Sequence, residues 1–512
     1  MTTNDADPVR QHAATEAAEA PAESVLITRL KAALLTPISA MRLKYLPLLM
    51  IYFAYGALGI VAVAQDFWIK AALTLTPADL ASLAVWLGLP WAIKMVFGEL
   101  VDAVPILGSQ RRVYVFIGAG LIAAGLLAMA GAAAGMFPTL HPNTVYITAQ
   151  LVIVVGVVLQ DVVADAMSTE VVSRVEADGT PRPEADVTRD LGMVQVLGRL
   201  ALSFGIFSVA GISGLLAQYL SYSTVFLIGL AVPAISMLGA LLVRLETSET
   251  RDIDWQILGG GLAFGVIVTA IAIAGLPAAQ EIVFVLSIVI IVVMLRRVTQ
   301  HIPVDARQTI LFAAIIIFAF RATPSVGQGY TWFSIDVLGF DQAFFGVLQQ
   351  IGAAIGLAAA WLLADAVTRQ PVTRVLLWLT LIGGVLAIPN LILVTGAYEW
   401  TDRMFGIGPR SIALIDAAAQ SPLAQVSMIP LLTLIAVNAP PGHRATWFAL
   451  MASLMNLALV AGSLQTKYLN MIFPVDRGSY GELLPLVVFV FAIGLVVPLV
   501  AILTLGSRLA RK

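Results

Sequence analysis

Twelve long apolar runs divide this chain into two groups of six. The first group lies near 45–66, 80–101, 112–136, 145–173, 190–218 and 223–244, and the second near 308–335, 343–366, 372–397, 410–437, 444–469 and 483–507. Each run is long enough for a helix crossing a bilayer core, which takes roughly 20 mainly apolar residues. Two weaker runs, 256–276 and 278–295, stand between the groups; one carries Gly259, Gly260, Gly261 and Gly265, and the other starts on Gln280 and Glu281. If both cross, the count is fourteen, which is the favoured reading; a surface or re-entrant hairpin gives twelve. Residues 1–24 are Ala/Glu-rich and unpatterned, with no basic stretch leading an apolar one as in a cleaved signal peptide. Residues 25–44 mix Val25, Leu26, Ile27, Leu30 and Leu34 with Arg29, Lys31, Arg42 and Lys44, which suits an interfacial helix or an ordinary linker. The pattern predicts a tail over 1–44, a six-helix half over 45–244, a linker with an extra hairpin over 245–307, a second half over 308–507 and a short terminus over 508–512.

Composition narrows the class. The chain of 512 residues is 59% hydrophobic and 12% charged, with a mean hydropathy of +0.93, whereas soluble domains carry about 25% charge. That excludes a soluble enzyme, a disordered protein and a basic nucleic-acid binder, and leaves an all-α polytopic membrane protein. Net charge is −2 and names no partner. There is no cysteine, and His12, His141, His301 and His443 fall in tails or loops, so neither thiolate nor histidine metal centres are expected. No Gly-Lys dipeptide exists, so no P-loop can form and no cofactor is implied. With the N-terminus inside, 21 of the 29 Lys+Arg fall in cytosolic tails and loops, and only Lys70, Arg403, Arg410, Lys467 and Arg477 fall outside. Positive charge marks the inner side. Both termini are therefore expected in the cytosol, in a bacterial-type inner membrane.

The two groups echo each other. Asp79 opens the second span and Asp102 closes it before Arg111 and Arg112; Asp341 and Asp365 do the same before Arg369 and Arg374. Asp-Ala-Val follows in both places, at 102–104 and 365–367. Six helices, a cytosolic link and six more is the plan of the major facilitator superfamily, whose substrate sites lie between the halves near mid-membrane. Gly98, Asp102, Arg111, Arg112 and Asp365 suit a conformational latch: Gly98 for close helix approach, the acids for helix ends and arginines. A solvated loop is the plainer alternative. Gly131/Gly135, Gly261/Gly265 and Gly352/Gly356 have helix-packing spacing.

Ionisable groups inside spans are costly and mark function or a partner. Lys94, Asp161, Asp165 and Arg199 stand out in the first half, at comparable depths. Asp161 and Asp165 share a helix face, as do Gln195 and Arg199. They suit either a proton-coupling set or a structural ion-pair cluster, and Glu170 reads as a solvated or capping residue. In the second half Arg321 is alone, followed by Pro324, Gly327 and Gly329, which predict a broken helix. A fixed cation beside Tyr330, Trp332 and Phe333 suits an anionic aromatic ligand, the alternative being a pair with Asp416 or a carbonyl. Gln349, Gln350 and Gln425 are weaker polar signals.

Several of these stretches resemble the folate–biopterin transporters of the major facilitator superfamily: Asp66-Phe67-Trp68-Ile69-Lys70, Leu75-Thr76-Pro77-Ala78, Pro90-Trp91-Ala92-Ile93-Lys94, and Gly98…Asp102 running on to Arg111-Arg112-x-Tyr114. Asp161…Asp165…Glu170 and Pro324…Trp332-Phe333 before Phe344-x-Gly346 resemble it too, so that the likeness spans about 45–470. The resemblance implies a proton-coupled secondary transporter moving a folate- or pterin-like anion. That fits the reading of the residues themselves, which sets Arg321, Trp91, Tyr330, Trp332 and Gln195 at the substrate and Lys94, Asp161, Asp165 and Arg199 in coupling. The expected partners are that organic anion, protons and the lipid bilayer. A facilitator for another anion, a drug/proton antiporter and a non-transporting assembly factor are the rival classes.

Overall fold

The computed structural model describes residues 41–109, 111–176, 178–242, 254–276, 278–300, 303–368, 370–437 and 444–509, which among them form helices and no strand. The first group comprises α1 (Leu43–Ala72), α2 (Pro77–Ala103), α3 (Arg112–Ala133), α4 (Pro142–Glu170), α5 (Glu184–Tyr219) and α6 (Tyr222–Leu242). Between the groups stand α7 (Trp255–Ile273) and α8 (Ala279–Thr299). The second group runs through α9 (Val304–Arg321), α10 (Gln328–Asp336), α11 (Gln342–Thr368), α12 (Val372–Val394), the short α13 (Tyr398–Phe405), α14 (Pro409–Val437), α15 (Arg444–Ile472) and α16 (Leu483–Leu509). Among the described residues twelve helices are long and apolar enough to cross a membrane, and both central helices are among them.

The repeated aspartates do the same local work. Asp79 closes a capping box with Thr76 at the start of α2, and Asp341 accepts the Phe344 amide at 2.8 Å at the start of α11. Each satisfies amides that the first helical turn leaves without partners.

Pro324 breaks the chain where expected: α9 ends at Arg321, α10 begins at Gln328, and Gly327 takes φ +81° between them. The freed backbone is held by α15. Gln465 donates to the Ala322 carbonyl at 2.7 Å, the Ser325 amide donates to the Thr466 hydroxyl at 2.9 Å, and Asn470 donates to the Val326 carbonyl at 3.2 Å. Irregular backbone at membrane depth persists only with such partners.

The halves meet along two seams. On one, α2 lies against α15; Gly88 packs on Val460, and Asn456 donates at 3.0 Å to the Trp91 carbonyl, next to Pro90 inside α2. On the other, α5 lies against α11 so closely that a Cβ on Gly214 would fall 2.6 Å from the Gly346 Cα. There the Gly211 amide donates to Gln350 at 2.9 Å. Of the three glycine pairs predicted to pack, Gly131 faces Phe137 and Gly261 faces Val96, but Gly265 faces open space and Gly135 (φ +71°) ends α3.

The central pair is bound to both halves. Asp254 caps α7 and its amide donates at 2.7 Å to buried Glu99 of α2. At the opposite end, Gln280 of α8 donates to Ser82 of α2, while Lys467 of α15 reaches Gln280 and Glu281 at 2.8 Å each and Tyr468 donates to Glu281 at 2.6 Å. Most of α7 and of α8 is not buried against the rest of the protein, so both present an apolar face suited to lipid.

Candidate functional site

The intramembrane charges of the first half come together. The Lys94 ammonium bonds Asp161 and, at 2.5 Å, Asp165. Tyr52 of α1 donates to the other Asp165 oxygen at 2.6 Å. The geometry follows from the helices: Pro90 interrupts α2 at Ile93, and the helix restarts on Lys94, while Asp161 and Asp165 lie one turn apart on α4. Asp161 is 11% exposed and Asp165 50%, so the cluster opens at the Asp165 end. Arg199 of α5 lies within electrostatic reach of Asp161, Tyr52 and Tyr55. It is exposed and makes no ion pair among the described residues. Gln195, one turn away and also exposed, donates to Ser168 at 2.7 Å. Tyr55 stacks on Trp91, ring centroids 5.9 Å apart and 24° between planes, which sets an aromatic surface beside the charges.

In the second half Arg321 is half-buried, with Nε 3.4 Å from the Met455 carbonyl and Nη1 2.9 Å from the Met428 sulfur. The Asp416 pairing considered from the sequence is absent; Asp416 is taken by Gln420 at 2.6 Å and by Asn390. Tyr330 is half-buried, tilted against Phe333 at 6.3 Å, and lines a 490 Å³ cavity with Phe320, the 323–327 backbone and Asn390. Trp332 is elsewhere than expected. It is fully buried in the core of the first half, with the Arg477 guanidinium 3.9 Å above its ring. Six residues of irregular chain separate α9 from α10, so Trp332 does not keep the helical phase of Arg321.

A cavity of 580 Å³ lies between the halves, lined by Gly56, Gly59, Ala210, Gly352, Gly356 and Gln349 among others. Sequence spacing reads Gly352 and Gly356 as packing residues; both line this space, and Gly352 also packs on α14, where a Cβ would fall 2.9 Å from the Ser421 hydroxyl. Tyr52 and Tyr55 also escape a sequence reading, although Tyr52, Tyr55, Gly56 and Gly59 recur at helical spacing on one face of α1.

Some of the residues expected to form a latch are in contact. Arg111 is buried and pairs with Asp102 at 2.8 Å, with its Nη1 3.0 Å from the Val101 carbonyl. It also pairs with Glu170, which thus belongs to this cluster instead of standing solvated. Arg112 lies over the Phe116 ring at 5.9 Å. Gly98 is not a close-approach position, since a Cβ there meets nothing within 4 Å. The side chains of Asp365 and Gln425 lie outside the described residues.

At the end that charge distribution assigns to the outside, the halves are tied together. Lys70 of α1 pairs with Asp336 of α10 at 2.6 Å, and the Tyr480 hydroxyl also donates to Asp336. Burial and that bond to a carboxylate push the Tyr480 phenol up to about 12, so it stays a donor at neutral pH. Arg477 caps the end of α1, donating to the carbonyls of Ile69, Lys70, Leu73 and Leu75 at 2.8–3.0 Å.

The fold matches solved transporters. A POT family transporter in complex with a thioalcohol-conjugated peptide superposes with a TM-score of 0.67 at 13% identity, covering 93% of this chain and all of that one. A D-xylose–proton symporter gives 0.54 at 15%, covering 91% and 97%. Both likenesses are of fold, and that fold is the major facilitator one. By sequence, the chain is 28% identical over 431 residues to the folate-biopterin transporter of Synechocystis, covering 83% of this chain and 75% of that protein. It is 24% identical to probable folate-biopterin transporter 4 of Arabidopsis thaliana, covering 85% and 89%. Folate transporter 1 of Plasmodium falciparum is 20% identical, covering 86% and 74%. Together with a BT1 family model that matches residues 56–512, the residues and fold assign this chain to the BT1 family.

Proposed function

We propose that the protein is a secondary transporter that moves a folate- or pterin-like organic anion by alternating access, coupled to protons. The observation that carries this is one lysine shared by two carboxylates beside an arginine that has no ion pair among the described residues. Lys94 and Asp161 are mostly buried, where a charge imbalance is expensive, and Arg199 stands exposed beside them. Lys94 and Arg199 together balance Asp161 and Asp165. An anion that engages Arg199 leaves two acids facing one lysine, and a proton on one acid restores neutrality. Anion and proton then bind together. Arg321 from the opposite half is a second anion donor, and Tyr55 on Trp91 offers a plane on which a flat ring stacks. The names of the sequence relatives support the choice of a folate or pterin as cargo.

The test is uptake into proteoliposomes screened with folates and pterins under imposed pH gradients. Accumulation that follows an inward proton gradient is the expected result. Uptake of neither class under any gradient would overturn the substrate assignment, and uptake indifferent to the gradient would overturn the coupling.

A further inference from the structure

The shared lysine leaves one intramembrane acid of α1 unexplained. Asp66 lies six residues, or ~9 Å, below the end of α1 that bears the outer closure. Its side chain has a single partner among the described residues: Gln328 of the opposite half, whose amide donates to it at 3.2 Å. Gln328 is the first residue of α10, directly after the broken segment. No base pairs with Asp66 among the described residues. Lys70, one turn further out on the same helix, is taken by Asp336. From α4 the titratable neighbour is Tyr146, a neutral phenol joined through Gln65 to Gln150. From α5, α6 and α11 the neighbours around this level are Ser213, Phe226 and Phe345, none of them charged.

We propose that Asp66 is a proton-binding site that couples outer closure to protonation: it takes up a proton as the outer face closes and releases it as that face opens. The argument is geometric. Asp66 and Gln328 belong to different halves, so any opening of the outer face separates them and admits water to the carboxylate. Closure removes that water and offers only an amide, which solvates a neutral acid well and a bare carboxylate poorly. The closed state therefore binds the proton more tightly than the open one, and acid on the outside favours closure. As pH rises through the transition, the open state gains, by up to about tenfold in population ratio per pH unit for one linked proton. External acid thus favours closure over a loaded site, and the proton returns to the same side on reopening, so this linkage sets which face is open and does not by itself carry a proton across the membrane. The inference rests on the transporter reading, but its test needs no substrate.

The chain has no cysteine, so Leu140→Cys and Met404→Cys, exposed at the outer ends of opposite halves, give a clean spin-label pair. Distances measured in nanodiscs across a pH series should shift from short to long as pH rises. Asp66→Asn should hold the short distance at every pH. Gln328→Lys, which replaces the proton by a fixed cation facing the carboxylate, should do likewise, and serves if the first variant folds poorly. A wild-type distance that ignores pH, or the wild-type pH response surviving in either variant, overturns the proposal. Substrate uptake that fails while this response persists would instead count against the cargo alone.

Discussion

Lys94 is the residue on which the site balances, because it is one cation serving two acids. Its replacement leaves Asp161 and Asp165 facing each other within a turn of helix. Lys94→Gln should lower stability by about 3–5 kcal/mol, the cost of breaking a buried pair from one side. Adding Asp161→Asn should recover most of it, read as melting temperature in detergent. Asp165→Asn alone should cost much less, since Asp161 keeps its lysine and Asp165 is half exposed. Equal losses from all three variants would dismiss the shared-lysine account. Arg321 carries a second residue-scale expectation. A guanidinium grips a carboxylate through two parallel bonds that an ammonium does not reproduce. Arg321→Lys should therefore weaken folate about tenfold to hundredfold, from a loss of 1.5–3 kcal/mol, and biopterin far less. Competition binding of the two ligands to both proteins checks this, and equal weakening would remove Arg321 from the carboxylate.

At the scale of elements, what the sequence made legible depended on whether the chain kept a regular period. The long runs identified helices because twenty apolar residues have few alternatives in a bilayer. Pro324 and Gly327 announced the break after α9 because proline removes an amide donor and glycine accepts a positive φ. The rotation of α10 about its own axis was not legible: six irregular residues reset the phase, and Trp332 landed in the opposite half's core. Likewise Asp161 and Asp165 could be set on one face of α4, whereas the bond from Tyr52 depends on how α1 packs, which spacing does not encode. Gly98 looked like a contact because small residues often are, but what a glycine meets is decided by its neighbour. The central pair raises the remaining element-scale expectation. If α7 and α8 cross, Ala279→Cys reacts with an impermeant thiol reagent only from the outside, and Thr180→Cys only from the inside. Inside labelling at 279 would leave twelve crossings. Either way, Glu281→Gln should loosen α8 from α15, because it weakens the bonds from both Lys467 and Tyr468. Faster proteolysis between α7 and α8 is the readout.

Across the whole molecule, two seams run between the halves and one end is tied shut. α7 is bonded to α2 near Glu99, and α8 is bonded at its far end to both α2 and α15. The pair thus spans the α2–α15 seam like a brace, and relative motion of the halves has to bend it or slide along it. The tied end is dominated by Arg477, which reaches four carbonyls at the end of α1, where the helix dipole favours a cation. Arg477→Ala should open the outer face by tenfold or more in population, given a charged hydrogen-bond loss of about 1.5–3 kcal/mol. The Leu140–Met404 label pair reads this directly, and an unchanged distance would assign closure to other contacts.

The nature of the Arg477 cap also sets how the protein responds to its surroundings. The acceptors are neutral backbone carbonyls, and beneath the guanidinium lies the face of a buried indole. Of the ties between the halves described at this end, the partly exposed Lys70–Asp336 pair is the one with full charges on both sides. Raising salt from about 0.1 M to 1 M shortens the screening length from about 10 Å to about 3 Å. That weakens the Lys70–Asp336 attraction while leaving the short carbonyl bonds and the ring contact nearly untouched. The outer face should therefore open and close on the same schedule in dilute and in concentrated brine.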